Sequence, residues 1–309
     1  MGGGRNIMRI IFFGTPDYVI PILEKLHKYH EIVAVVTQSP KPMGREKNLT
    51  YSAVDSWAFK KHIPKFFDFK NLPDADLGVL ASYGNLIPKE VINSFPLGIL
   101  VIHPSLLPQF RWSNPIRATL VTGTNPTGVS IIKMTEKWDA GPILTQFKEE
   151  VLETDDNISL TKRLFEKSAD VLVEMLPAYK EGKITMKKQD DSKATYAKLI
   201  TKEDGFIRFE FIKNAMEINN LKDPWEIPFV KNYSVIPDAN FINRFVKAMK
   251  PWPIAWTKLI IRSEEKRLKI LGSHINLESG YLELDEVQLE GKKPTLWKQF
   301  KDAYGIEGF

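Results

Sequence analysis

MRIIFFGTPDYVIPILEKLHKYHEIVAVVT, residues Met8 to Thr37, holds a complete strand–helix–strand unit. The apolar run Met8 to Phe13 stops at Gly14. Thr15 then reads as the N-cap of a helix with Pro16 at its first position, and Val19, Ile22, Leu23 and Leu26 recur at helical spacing. Ile32 to Thr37 (IVAVVT) is a second apolar run. Strands that are apolar at every position, instead of every other one, belong to sheets covered on both faces. The unit repeats along the chain: Ser52 to Lys61 reads as a helix, Leu77 to Ala81 (LGVLA) as a strand and Pro88 to Ser94 as a helix. Gly98 to Ile102 (GILVI) is a further strand that runs straight into His103. Strands alternating with helices specify an α/β fold with a mostly parallel sheet.

From Thr127 the pattern changes. Gly128 to Met134 and Pro142 to Phe147 read as strands that need not run parallel to the others, and Ser159 to Tyr179 as an amphipathic helix. Beyond Lys187 the residues turn polar, as in a linker. Phe211 to Ala239 is rich in Asn, Pro and aromatics and shows no clean period. Phe241 to Met249 looks helical and ends at Pro251, and Ala255 to Ile261, Arg267 to Leu271 and Tyr281 to Leu289 read as short strands. The expected organisation is a tail over residues 1–7 with Met8 as the native start, a first domain over 8–190, a linker over 191–206 and a small β domain over 207–309.

The 309 residues include 43 basic and 38 acidic side chains, net +5, and no cysteine. A thiol nucleophile, a disulfide scaffold and a zinc site on thiolates are thereby excluded. The modest charge permits nucleic acid as a partner without demanding it. No stretch approaches the ~18 apolar residues of a membrane span, so a cytoplasmic protein without membrane attachment, and a monomer, is expected.

Among five histidines, His103 alone follows a buried strand directly, at the carboxyl edge of the sheet where ligands gather in open α/β folds. The next residues, Pro104 to Pro108, make a stiff apolar loop. Asp139, between Trp138 and Ala140–Gly141, lies in a second loop able to meet it. Imidazole moves protons near neutral pH, and a carboxylate partner would orient it and stabilise its cation. The turn Gly14–Asp17 lacks GxGxxG and carries Pro16 where a pyrophosphate wants an N–H, which argues against a dinucleotide. No Walker loop and no metal-ligand spacing occurs. The long segment Gln38 to Val54 carries Lys41, Arg45 and Lys47 between prolines, which suits solvated surface or an arm for a phosphate backbone.

Taken in order, FFGTPD (Phe12–Asp17), KPMGREK (Lys41–Lys47), ASYG (Ala81–Gly84), IHPSLLP (Ile102–Pro108), WDAGPIL (Trp138–Leu144), ATYAKLITKEDG (Ala194–Gly205), KPWPIAW (Lys250–Trp256) and EGKK (Glu290–Lys293) resemble the methionyl-tRNA formyltransferases. The likeness runs over nearly the whole chain after Met8. It implies a Rossmann-like formyltransferase domain and a C-terminal OB-like β-barrel. The implied reaction moves a formyl group from 10-formyltetrahydrofolate, with no metal, to methionine on initiator tRNA. His103 and Asp139 fall on the family's catalytic histidine and aspartate. The resemblance lays the folate along Leu80, Ala81, Ser82, Tyr83 and Gly84, along Ser105, Leu106, Leu107 and Pro108, and along Trp138, Ala140 and Gly141. It assigns tRNA contact to Lys41, Arg45 and Lys47 and to a patch around Lys266, Arg267, Lys269, Lys292 and Lys293. Trp252 is expected as a core plug.

The sequence departs from the pattern at one catalytic position, since Val101 stands where the family has an asparagine. Valine has no hydrogen to donate, and loss of one such donor costs about 10²- to 10³-fold in rate. A slow enzyme, a substitute donor such as Asn114, and a folate- or tRNA-binding protein without turnover are the competing consequences. A formyltransferase acting on a nucleotide-linked amino sugar is a further alternative. The connection over 206–241 also looks longer than the family's and the barrel between Lys269 and Glu290 shorter. Residues 241–309 carry 12 basic and 9 acidic side chains, net +3.

Overall fold

In the computed structural model, which describes residues 7–43, 48–217 and 222–305, the opening apolar run forms β1 (Arg9–Gly14) in the interior of a seven-stranded sheet. The other strands are β2 (Glu31–Val36), β3 (Lys65–Phe66), β4 (Leu77–Ala81), β5 (Ile99–His103), β6 (Thr127–Lys133) and β7 (Ile143–Glu149), in the order β7-β6-β5-β4-β1-β2-β3. The β1–β2, β1–β4, β4–β5 and β2–β3 pairs are parallel and β5–β6 is antiparallel. All residues of β4 and β5 are buried, as expected of strands covered on both faces. One apolar cluster takes in Phe13, Leu80, Tyr83, Phe95, Val101, Leu107, Ile132 and Ile143.

Thr15 does not cap the first helix. A 3-10 turn, Asp17–Val19, intervenes, and the α-helix runs over Ile20–Tyr29. Asp17 accepts from the Tyr18 N–H at 2.9 Å, so its carboxylate does the local work expected of the Thr15 hydroxyl, which is buried without a partner. Within 38–54, Lys41–Met43 pairs with Asn48–Thr50 as a hairpin, and Ser52 caps the helix Ala53–Lys61 by accepting from Asp55 N. The long helix covers Asn157–Lys180.

The chain forms two compact units that interleave in sequence: Met1–Arg111, Gly128–Glu149 and Thr161–Ala194 make one, and Trp112–Thr127, Glu150–Leu160 and Thr195–Phe309 the other. The segment expected as a linker, 191–206, is built into them. Asp191–Lys193 is a 3-10 turn, and Ala197, fully buried, bridges Val230.

In the second unit, β8 (Ala255–Ile261), β9 (Glu264–Ile275), β10 (Leu282–Leu289) and β11 (Thr295–Leu296) form an antiparallel sheet in that order. Among the described residues this sheet has four strands, where an OB barrel has five. The helix Ala239–Ala248 packs on β9 and on the helix Pro115–Thr122. The aperiodic aromatics before it supply a cluster: Trp225 lies 5.5 Å from Phe211, 5.7 Å from Phe241 and 4.7 Å from Phe245, centroid to centroid. Trp252 is not the core plug; it is 50% exposed. It sits in the turn before β8, whereas Trp256 falls on a buried position of that strand and is covered by the Arg267 guanidinium at 3.8 Å.

Candidate active site

β5 ends on His103, whose side chain is 6% exposed. Strand alternation puts Val101 and His103 on the same face of the sheet and Ile102 on the other. The ring is held at both nitrogens. Nε2 lies 2.9 Å from Phe110 O, and Nδ1 faces Asp139 Oδ1 at 3.6 Å. A carbonyl oxygen only accepts, so Nε2 carries a proton. Nδ1 then presents a lone pair to the carboxylate in the neutral ring and an N–H in the cation.

The loop after His103 is fixed from beneath. Ser130 Oγ, on β6, donates to Ser105 O at 2.7 Å and accepts from Leu107 N at 2.9 Å, while Gln146 Nε2, on β7, donates to Ser130 Oγ at 2.8 Å and to Leu107 O at 3.0 Å. Ser105 Oγ donates to Gln109 O. Ser105 and Leu107 are buried, and Leu106 and Pro108 partly so.

Asp139 has φ +51°, a left-handed conformation that aspartate tolerates better than most residues. Two positions on, a Cβ at Gly141 would stand 1.8 Å from Lys133 O, so only glycine lets the loop lie this close to β6. Trp138 is 48% exposed at the tip and Ala140 half-buried. Across the sheet edge, Leu80 and Ala81 end β4, Ser82 turns at φ +50°, Tyr83 is buried against Phe13 and Phe69, and Gly84 is exposed. Burial pushes the Tyr83 phenol up from its ordinary value.

Val101 is 6% exposed and belongs to the apolar cluster with Leu80, Leu107 and Ile132. Asn114 uses its amide within the second unit: Nδ2 donates to Lys198 O at 2.8 Å and Oδ1 accepts from Arg117 Nη1 at 3.1 Å. Among the described residues no group of three His, Asp or Glu side chains is placed to hold a metal ion, and no helix is long and apolar enough to cross a membrane.

Of the cationic residues, Lys41 is exposed on its hairpin, while Arg45 and Lys47 lie outside the described residues. In the second unit, Lys266 pairs with Glu264 at 2.6 Å and Arg267 stacks on Trp256. Alternation along β9 sends Lys266 to the opposite face from Arg267 and Lys269. Glu290 N donates to Arg267 O, which brings the exposed turn carrying Lys292 and Lys293 beside that strand.

Sequence reading missed Ser130, Gln146, Arg111 and Gln189. The first two sit in strands that read as apolar core. Gln189 stands in a polar stretch yet is 7% exposed, and a single glutamine among Lys and Asp carries no signal of burial.

The family described as formyl transferase matches residues 8–176, which take in the strand-end histidine and the loop aspartate. The methionyl-tRNA formyltransferase of Dictyoglomus thermophilum is 34% identical over 97% of this chain and 98% of its own length. The chain belongs to the methionyl-tRNA formyltransferase family. Among solved structures, the methionyl-tRNA formyltransferase of Clostridium thermocellum shares the fold at a TM-score of 0.54 and 16% identity, over 92% of this chain and 99% of that one. HypX from Aquifex aeolicus in complex with tetrahydrofolic acid does so at 0.61 and 14%, over 97% of this chain and 48% of that one.

Proposed function

We propose that this chain, a cytoplasmic monomer, transfers the formyl group of 10-formyltetrahydrofolate to the α-amino group of methionine esterified to initiator tRNA. The observation that carries the reading is the buried His103, held between Phe110 O and Asp139 at the sheet edge, in a chain of this family. The folate, when bound, supplies the formyl carbon. Leu80 to Gly84, Ser105 to Pro108 and Trp138 with Ala140 and Gly141 would hold it. The lining suits a flat heterocycle, because Ala81, Ser82, Gly84, Ala140 and Gly141 are small and let a ring come close to the main chain. HypX, of like fold, is known with tetrahydrofolic acid.

His103 takes up at Nδ1 the proton released as the amine bonds to the formyl carbon and returns it to the folate nitrogen as its bond to that carbon breaks; Asp139 faces Nδ1 and orients the ring. Val101 offers no donor to the charge that develops on the formyl oxygen, and His103 Nε2 is committed to Phe110 O, so that charge rests on main-chain N–H groups or water. Lys41, Arg45 and Lys47 meet the acceptor end of the tRNA, and Lys266, Arg267, Lys269, Lys292 and Lys293 its phosphates.

Single-turnover transfer to methionyl initiator tRNA tests this, comparing the protein with His103→Ala and Val101→Asn. His103→Ala should lose about 10²- to 10⁴-fold. Because Val101 packs in the apolar cluster, asparagine there should gain less than about tenfold. Absence of transfer by the protein with robust transfer by Val101→Asn would replace the reading with folate or tRNA binding without turnover. Preference for a nucleotide-linked amino sugar over tRNA would replace the acceptor.

A further inference from the structure

Both contacts of the His103 ring lead, by short chemical paths, to one buried arginine. Phe110, whose carbonyl bonds Nε2, is followed directly by Arg111. Arg111 is 4% exposed, and its Nε and Nη2 donate to Gln189 Oε1 at 3.1 and 2.8 Å. Gln189 Nε2 then donates to Asp139 O at 2.8 Å and to Gly141 O at 2.7 Å. The path closes at Asp139, which faces His103 Nδ1. His103, Phe110, Arg111, Gln189 and Asp139 thus form a ring of covalent and hydrogen-bonded links.

The orientation of the Gln189 amide is forced. Turned over, it would set its NH₂ against two guanidinium donors and its oxygen against two carbonyls, leaving four mismatched buried contacts. Arg111 Nη2 also reaches Asp191 Oδ1 at 2.7 Å, which balances the buried charge, and Arg111 holds that carboxyl below its ordinary range. The amide grips the main chain on both sides of Ala140, where Asp139 is left-handed and Gly141 presses on Lys133 O. The separation from Asp139 to His103, 3.6 Å, is beyond a direct hydrogen bond. A few tenths of an ångström in this loop therefore decide whether the pair engages.

We propose that Gln189, fixed by Arg111, is a positioning residue that sets the Asp139 loop against His103. It rests on the formyl-transfer reading for the roles of His103 and Asp139. Gln189 itself touches neither substrate nor the reacting atoms. Arg111 serves as the common anchor of both partners of the imidazole, and the residues 187–194 that look like a linker complete the catalytic unit.

The test is Gln189→Glu in the full chain. This substitution keeps the volume and the partner for Arg111 but replaces two donors by an oxygen facing two carbonyls. Expected are a kcat lower by about 10²-fold, as for an ångström-scale misplacement, KM values for folate and tRNA within about twofold, and changed imidazole 15N shifts of His103 at constant pH. In an Asp139→Asn background the same substitution should cost less than about twofold, because Gln189 acts through Asp139. Additive losses, or unchanged 15N shifts, would overturn the proposal. Gln189→Met, which removes the donors and the acceptor for Arg111 without adding a charge, serves the same readouts where the Glu variant does not fold. The 15N shifts report on the ring whether or not the chain transfers formyl groups, so failure of the clamp and failure of the reaction are told apart.

Discussion

Strands β5 and β9 show how differently two sheets of one chain encode their purpose. β5 is buried at all five positions, and its last residue is His103. β9 alternates the buried Leu268 and Ile270 with Arg267 and Lys269 at half-buried positions. On a sheet covered on both faces, a polar side chain costs free energy unless it is partnered, so its presence at the strand end demands an account. On a sheet with one wet face, a lysine costs nothing and signals nothing. His103 was therefore readable as a candidate from its position, and the cations of the second unit were not.

The contrast breaks if burial does not govern cost in both sheets. Phe13 is fully buried, with its ring 6.0 Å from Tyr83 and 6.1 Å from Phe95. Phe13→Ala should destabilise the protein by about 3–5 kcal/mol, while Ile260→Ala on the wet side of β8, 80% exposed, should cost under about 0.5 kcal/mol. Urea unfolding measures both, and comparable losses would end the comparison.

A sharper version asks whether the wet face binds. Replacing both Lys292 and Lys293 by alanine should leave the melting temperature unchanged and weaken initiator tRNA by about tenfold at ~0.1 M salt. The slope of log affinity against log salt should fall by about one for each lost phosphate contact. An unaltered slope would move the tRNA site elsewhere.

The smallest effect lies at the rim of the covered sheet. His30 Nδ1 accepts from Met8 N at 3.4 Å, and Nε2 is buried without a partner. Burial, aided by Lys180, pushes its pKa below the ordinary 6.5. The unfolded chain then takes up a proton before the folded one does, so this stability is complete above pH 6.5 and is lost as pH falls through the folded value. Between pH 7 and 5 the protein should lose about 2 °C more in melting temperature than His30→Gln, which keeps an acceptor and does not titrate. Parallel curves for the two would show that His30 is freely hydrated.

Particular residues mark how far reading went. The run from Met8 to Thr37 specified its strands because hydrophobic continuity is a local property, and the helices expected over 52–61 and 159–179 run over 53–61 and 157–180, the first capped by Ser52. The helix start at Ile20 was misread, since Asp17 competes with Thr15 over a distance of two residues. Trp252 and Trp256 were told apart only by where β8 begins. Val101 was visible as a departure, yet its packing against Leu107 and Ile132 was not.

The order of apolar runs, the glycine at 141 and the identity of His103 and Asp139 are properties of the sequence by itself, because strand burial and backbone freedom are fixed over a few residues. The meeting of Arg111 with Gln189, 78 positions apart, and of both with the Asp139 loop was decided by tertiary structure alone. A buried hydrogen bond depends on which groups the closed sheet brings within 3 Å, and no local pattern records that distance.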